Sequence, residues 1–229
     1  MIRRLMALMA VLFLFTPVSK AFSVDLIING SFENPNINEF WTTRQPAVGT
    51  ILSPSQGLWV QFQSGNTEMP GWTVTQGNVD LVRTEWTSFA GSQSVDLVGR
   101  ALGGLQQTFT TTPGSMYRLS FEYANNWFNG GGTASVELIG QGSIFTDTVS
   151  HFNSTNSNMN WVNYGTNFIA NSNSTTLRFT ALTSSGDGGV VIDNVSVVQP
   201  VPEPSSFVLL GIAILAAGCG KRFSRFCKI

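Results

Sequence analysis

Between residues 22 and 200 the chain has no cysteine and no lysine, and histidine occurs once, as His151. This region therefore has no disulfide and no thiol chemistry, and it must be held by its core alone. Its only cations are Arg44, Arg83, Arg100, Arg118 and Arg178, set against twelve carboxylates, for a net charge of −7. Such a surface does not attract a phosphate backbone, so nucleic acid is excluded as a partner. Also missing are Gly-x-Ser-x-Gly, His-Glu-x-x-His, Cys-x-x-Cys and a glycine-rich phosphate loop. His151 has no partner within its stretch of sequence and reads as a surface residue rather than a catalytic base. Two carboxylates could perform glycoside hydrolysis at any sequence spacing, so a glycan-active hydrolase stays open as an alternative.

Basic and apolar residues are instead concentrated at the two ends. Arg3 and Arg4 precede an apolar run from Leu5 to Phe15, and Ser19-Lys20-Ala21 offers a small-x-small cleavage site. That run is too short for a bilayer span, and residues 1–21 read as a signal peptide cut after Ala21. At the other end Pro200, Pro202 and Pro204 form an extended spacer, which leads into the apolar stretch Phe207 to Gly220. As a helix that stretch would reach roughly 21 Å, short of a hydrocarbon core of about 30 Å, so it is expected to be a short, marginal transmembrane helix. Lys221, Arg222, Arg225 and Lys228 follow and orient the tail toward the cytoplasm, with the domain outside.

The sequence between the ends is written in period two. Tyr117, Leu119, Phe121 and Tyr123 alternate with Arg118, Ser120 and Glu122 across Met116 to Ala124. Leu177, Phe179 and Ala181 alternate likewise, and Val162, Tyr164 and Phe168 repeat at even spacing. Helical periodicity is absent. The pattern predicts an all-β fold of ten or eleven strands over residues 22–199, a jelly-roll-like antiparallel β-sandwich in one domain. Near that size a domain buries roughly 70% of its unfolded surface, enough to fold without cross-links. Residues 33–57 read as irregular, and Asn125 to Gly132 and Asn153 to Asn160 as loops.

The last strand changes phase. Val190 and Ile192 share one parity, whereas Val195 and Val197 share the other. Keeping all four inward requires a bulge near Asp193 and Asn194.

Two resemblances rest on these residues. Val201-Pro202-Glu203-Pro204, the apolar run and the basic finish together resemble the PEP-CTERM sorting signal of Gram-negative bacteria. The resemblance implies an exosortase, a membrane-embedded cysteine transpeptidase, as partner and passage through the inner membrane to the envelope surface or extracellular matrix. The domain resembles the choice-of-anchor C family, related to the domain-of-unknown-function 642 proteins. That resemblance is carried by NGSFE (29–33), PGWTV (70–74), VDLV (79–82), GSQSVDLVG (91–99), QTFTTTPGSMYRLSF (107–121) and IDNVSV (192–197). The segment from Phe40 to Gly65 is longer than in that pattern. The family resemblance implies a galactose-binding-like sandwich, and likeness to carbohydrate-binding modules further implies a structural calcium held by Glu33 and Asp193.

Trp86 and Trp127 lie in turn-rich surroundings and are the candidate sugar-stacking platforms, with Asp80 and Asn125 as polar contacts. Arg83, Glu85 and Asp96 could add to them, while Trp72 and Trp161 read as core. The resulting expectation is an exported, exosortase-sorted, non-catalytic surface or matrix protein that binds an exopolysaccharide or other glycan. A purely structural surface protein without a ligand is its first rival.

Overall fold

A computed structural model describes residues 24–200, apart from 56, 129 and 185. The expected signal peptide, the sorting motif with its apolar segment and the basic end lie outside the described residues.

The described domain carries twelve strands and one short 3-10 turn, Ile37–Trp41. The strands are β1 (Thr50–Leu52), β2 (Trp59–Gln63), β3 (Thr73–Gln76), β4 (Asn78–Val82), β5 (Ser94–Asp96) and β6 (Gly104–Thr110). They continue as β7 (Met116–Asn125), β8 (Gly132–Gly140), β9 (Gly142–His151), β10 (Val162–Ile169), β11 (Ser174–Ser184) and β12 (Val190–Val198). All pair antiparallel, as two sheets ordered β1-β2-β4-β5-β12-β7-β10 and β3-β6-β11-β8-β9. The sandwich read from period-two alternation is thus the observed fold. The strand count exceeds the expectation in part because β1 is only three residues long, too short for an alternation to register, and falls in the stretch read as irregular.

The inward rows of both sheets close one core around Trp72, Phe62, Phe121, Phe179, Leu81 and Leu119, all essentially inaccessible. Phe121 meets Phe179 edge-on across the layers, ring centroids 5.0 Å apart, and Trp72 lies against Phe32 at 5.3 Å. Aromatic pairs in these arrangements add to the area they bury.

Among the described residues before β1 the N-terminal segment forms no full strand, only an isolated bridge from Asp25 to Val198 and the backbone bonds Leu26 N–H to Val197 O and Val195 N–H to Gly30 O. Its buried backbone groups therefore need other partners. Side-chain amides provide them. Gln107 accepts from the Ile28 N–H at 2.7 Å and donates to the Ile28 carbonyl at 2.9 Å. Gln93 accepts from the Ile37 N–H and donates to the carbonyls of Phe32 and Pro35. The Trp72 indole N–H donates to the Asn29 carbonyl.

The expected bulge is present in β12. Asp193 stands opposite Glu122 and Ser196 opposite Ser120, three steps against two, with Asn194 in the left-handed region at φ +51°. Val190, Ile192, Val195 and Val197 all enter the core as a result. Val191 points the other way, onto the outer face of the seven-stranded sheet.

Candidate functional site

That outer face is where polar and aromatic residues gather. Cross-strand pairing sets Gln61 of β2 beside Asp80 of β4, and Asp80 beside Asp96 of β5. The neighbouring row on the same face holds Trp59, Val82 and Ser94. Loops rise around these rows to form a cleft of about 240 Å³, whose floor is Gln61, Asp80 and Asp96 and whose walls include Trp59, Trp86 and Phe128. Glu85, Arg100, Asn126 and Asp187 complete its polar rim.

The floor is built tightly. Gln61 Nε2 donates to Asp80 Oδ1 at 3.0 Å, and Asn126 Nδ2 donates to Asp96 Oδ2 at 2.9 Å. Burial raises the Asp80 pKa to about 7, against the opposing pull of the Gln61 hydrogen bond and the Arg100 charge. Burial also pushes Asp96 well up, and the adjacent Asp80 charge adds to the shift. Gly99 presses its backbone onto this floor: a Cβ there would lie 2.3 Å from Gln61 Nε2 and 2.6 Å from Asp80 Oδ1. Only glycine leaves the cleft open at that point.

A second, smaller apolar cluster supports the walls. Val82, Trp86, Ala124, Met159 and Val191 are buried together, with Trp59, Trp127 and Trp161 packed against them. Two indoles fasten the segment Glu85-Trp86-Thr87: Trp127 Nε1 donates to the Glu85 carbonyl at 2.8 Å and Trp161 Nε1 to the Thr87 carbonyl at 3.1 Å.

Several expectations change in this light. Trp86 is 7% exposed and its N–H donates to Ser94 Oγ at 2.8 Å, so it is a buried wall of the cleft and not an open platform. Trp127 is half-buried by its clasp on Glu85. Asn125 is buried and bonded to His151 Nδ1 at 2.7 Å and to the Ser154 N–H; it lines no cleft wall, unlike its neighbour Asn126. His151 is not on the surface: it is 5% exposed, its Nε2 meets the Asn160 carbonyl, and burial lowers its pKa. Trp161 is half-buried rather than core. Asp80 is where a site residue was expected. Gln61, Trp59, Asn126 and Phe128 escaped sequence reading because their convergence is set by cross-strand register. An available signal was the alternation W-x-Q in β2 beside D-x-V in β4, which puts those side chains on one face.

Glu33 and Asp193 also meet over this face. Glu33 Oε1 accepts from the N–H groups of Ser92 and Gln93, and Oε2 from the Ser92 hydroxyl. Asp193 Oδ2 accepts from Ala90 N–H at 2.8 Å and Oδ1 from Asn194 N–H at 2.6 Å. Both carboxylates thus grip the turn 89–93. Gly91 lies against Glu33 at φ +67°, where a Cβ would come within 2.6 Å of the carboxylate. Burial raises the Asp193 pKa to about 7, with the Glu33 charge adding to it, and the ion pairs among the described residues involve only Arg44 and Arg178. Carboxylate oxygens with no ion-pair partner among the described residues are of the chemical type that calcium takes. Among the described residues no group of three or more His, Cys, Asp or Glu forms, so backbone carbonyls would have to complete such a set.

The described domain is an all-β, two-sheet antiparallel sandwich with a cleft on the outer face of its seven-stranded sheet. Residues 25–198 match the family described as "Protein of unknown function (DUF642)", and the chain belongs to that family. Residues 200–222 match the PEP-CTERM protein-sorting motif. Halomucin of Haloquadratum walsbyi (strain DSM 16790 / HBSQ001) is 34% identical over 178 residues, 76% of this chain, and the chain spans about 2% of that relative's length. Similar solved structures include TmCBM61 in complex with beta-1,4-galactotriose, at TM-score 0.45 and 17% identity, covering 78% of this chain and 100% of that one. A family 35 carbohydrate binding module from Clostridium thermocellum matches at TM-score 0.42 and 18% identity, over 60% and 96% of the two chains. Arabinose-bound MgGH51 α-L-arabinofuranosidase matches at 0.46 and 9%, over 78% and 27%. At these identities the likeness concerns the fold.

Proposed function

We propose that the domain is a non-catalytic glycan-binding module of an exported protein, sorted at its C-terminus by an exosortase to the cell surface or matrix. The observation that carries the binding reading is the cleft over Gln61, Asp80 and Asp96. It joins amide and carboxyl groups on the floor to aromatic surface at Trp59 and the 69%-exposed Phe128. Sugars present hydroxyls and an apolar C–H face together, and a small cleft with few polar groups among aromatic walls is suited to both. The acidic rim and the absence of lysine between residues 22 and 200 favour neutral glycans over polyanionic ones.

The geometry of the two floor carboxyls supports the non-catalytic reading. Asp80 and Asp96 are side by side on adjacent strands, and Asp96 is 1% exposed beneath Asn126. A glycosidase needs its two carboxyls flanking the scissile bond, both within reach of the sugar. Asp96 has no such reach. A structural calcium at Glu33 and Asp193 belongs to this reading as a brace for the turn 89–93.

The test is affinity electrophoresis of the exported protein through gels containing soluble β-1,4-galactan, mixed-linkage β-glucan or xylan. Retardation by at least one polymer, without release of reducing sugar, supports the module. Free migration through every polymer leaves a structural surface protein, and reducing-sugar release restores the hydrolase.

A further inference from the structure

A second cleft, of about 290 Å³, lies beside the first and is lined by Thr87, Ser88, Phe89, Asn156, Ser157, Asn158, Met159 and Trp161. Both clefts share one ridge. Glu85 and Trp86 line the first, and Thr87, Ser88 and Phe89, the very next residues, line the second. Four residue steps separate Glu85 from Phe89, so the lining residues on the ridge lie within ~14 Å of each other.

Two features mark the second cleft as a binding surface. Phe89 is 48% exposed and meets Trp161 edge-on at 6.3 Å, which leaves an aromatic corner open to solvent. Ser88 Oγ is the one buried side-chain polar atom among the described residues without a hydrogen-bond partner. A buried, unsatisfied hydroxyl costs free energy and calls for an explanation. Ser88 itself lines the cleft, and a change of its χ1 rotamer would turn the inaccessible hydroxyl toward a ligand hydroxyl. The asparagine and serine side chains of 156–158 give the opposite wall further amide and hydroxyl groups.

The clamp described above sets this corner in place. Asp193 accepts the N–H of Ala90, the residue after Phe89, so the bulge in β12 fixes the backbone from which the Phe89 ring projects.

Resting on the glycan-binding reading, we infer that the two clefts are consecutive subsites for one linear neutral glycan that crosses the ridge 85–89. The protein would then recognise the interior of a polymer and not a single terminal sugar. Each cleft alone is at or below the small end of ligand pockets, which implies weak binding of a lone sugar unit. Linking two weak contacts along one chain raises the effective concentration at the second.

The experiment is a calorimetric length series on the full exported protein, with oligomers of two, four and six units cut from whichever of β-1,4-galactan, β-glucan or xylan retards it. The expected result is at least a tenfold fall in Kd between the shortest and the longest. Phe89→Ala should abolish that gain. Ser88→Ala should weaken the longest oligomer while its Tm stays equal to or above that of the parent, because the variant removes an unpartnered buried hydroxyl. A purely structural role for Ser88 would not separate binding from stability in this way. A Kd independent of length, or a length gain intact in both variants, overturns the two-subsite inference and leaves the first cleft standing. Retention by none of the three polymers overturns both.

Discussion

Replacing Asp193 by Asn should change how stability responds to pH more than it changes stability at any one pH. The Asp193 carboxyl is fully buried, grips the turn 89–93, and has its pKa raised by burial to about 7 from 3.8. In the unfolded chain it ionises near its ordinary value. Between about pH 4 and pH 7 the folded protein therefore binds the proton that the unfolded chain has released, and stability from this group is lost as pH rises through that window. At 1.36 kcal/mol per pKa unit the full shift corresponds to about 4 kcal/mol. The part lost between pH 5 and pH 8 is on the order of 2–3 kcal/mol, or roughly 5–10 °C in Tm for a domain of this size. Asp80 acts with the same sign. His151 acts with the opposite sign, because its lowered pKa favours the folded state above its ordinary value. The measurement that isolates Asp193 is thus the difference between parent and Asp193→Asn melting temperatures, taken in chelator at pH 5, 6, 7 and 8. The difference should move against the parent by the stated amount as pH rises. A difference that is flat, or that moves in the parent's favour, refutes the assignment of a raised pKa to this group.

Calcium should alter the same profile. If Glu33 and Asp193 hold the ion, millimolar calcium raises Tm at pH 8 by several degrees and flattens the pH dependence, since metal and proton compete for the same oxygens; identical melts with calcium and with chelator would remove the metal from the account. Gly91→Ala should destabilise by about 2–4 kcal/mol through its left-handed backbone and its contact with Glu33, read as a fall in denaturation midpoint with an unchanged m-value. Glu203→Ala should trap the precursor in the inner membrane, whereas the processed parent should end near residues 201–205 and lack Cys219 and Cys227 by mass spectrometry; recovery of an intact C-terminus from the surface would identify a plain tail anchor.

The legible parts of this protein are those governed by local periodicity. Alternation in β7, β10 and β11 marks strands whose one face is buried, and the two parities in GVVIDNVSVV require the bulge that β12 shows. The N-terminal motif NGSFE was legible as important but not in its means. Gln93 and Gln107 supply backbone hydrogen bonds 58 and 79 residues away, and no local pattern announces a glutamine used in place of a strand. The cleft was half legible for a related reason. Asp80 belongs to a strand whose alternation shows it facing away from the core, but its neighbours Gln61 and Asp96 arrive through cross-strand register between segments far apart in sequence. Trp86 misled because its sequence surroundings look like an exposed turn, whereas indoles from Trp127 and Trp161 fold over that turn and bury it. Asn125 and Asn126 are adjacent, and only the end of β7 decides which of them turns toward His151 and which toward Asp96.

The central claim is that the face carrying Gln61, Asp80 and Asp96 binds a neutral glycan. Its most direct test is affinity electrophoresis of the parent beside Arg100→Ala and Trp59→Ala, two residues that border the cleft and lie outside the main core. The account predicts that a neutral polysaccharide retards the parent, and that each variant, with its β-sheet circular dichroism intact, loses most of that retardation. Equal retardation of all three proteins, or none of the parent, would contradict it.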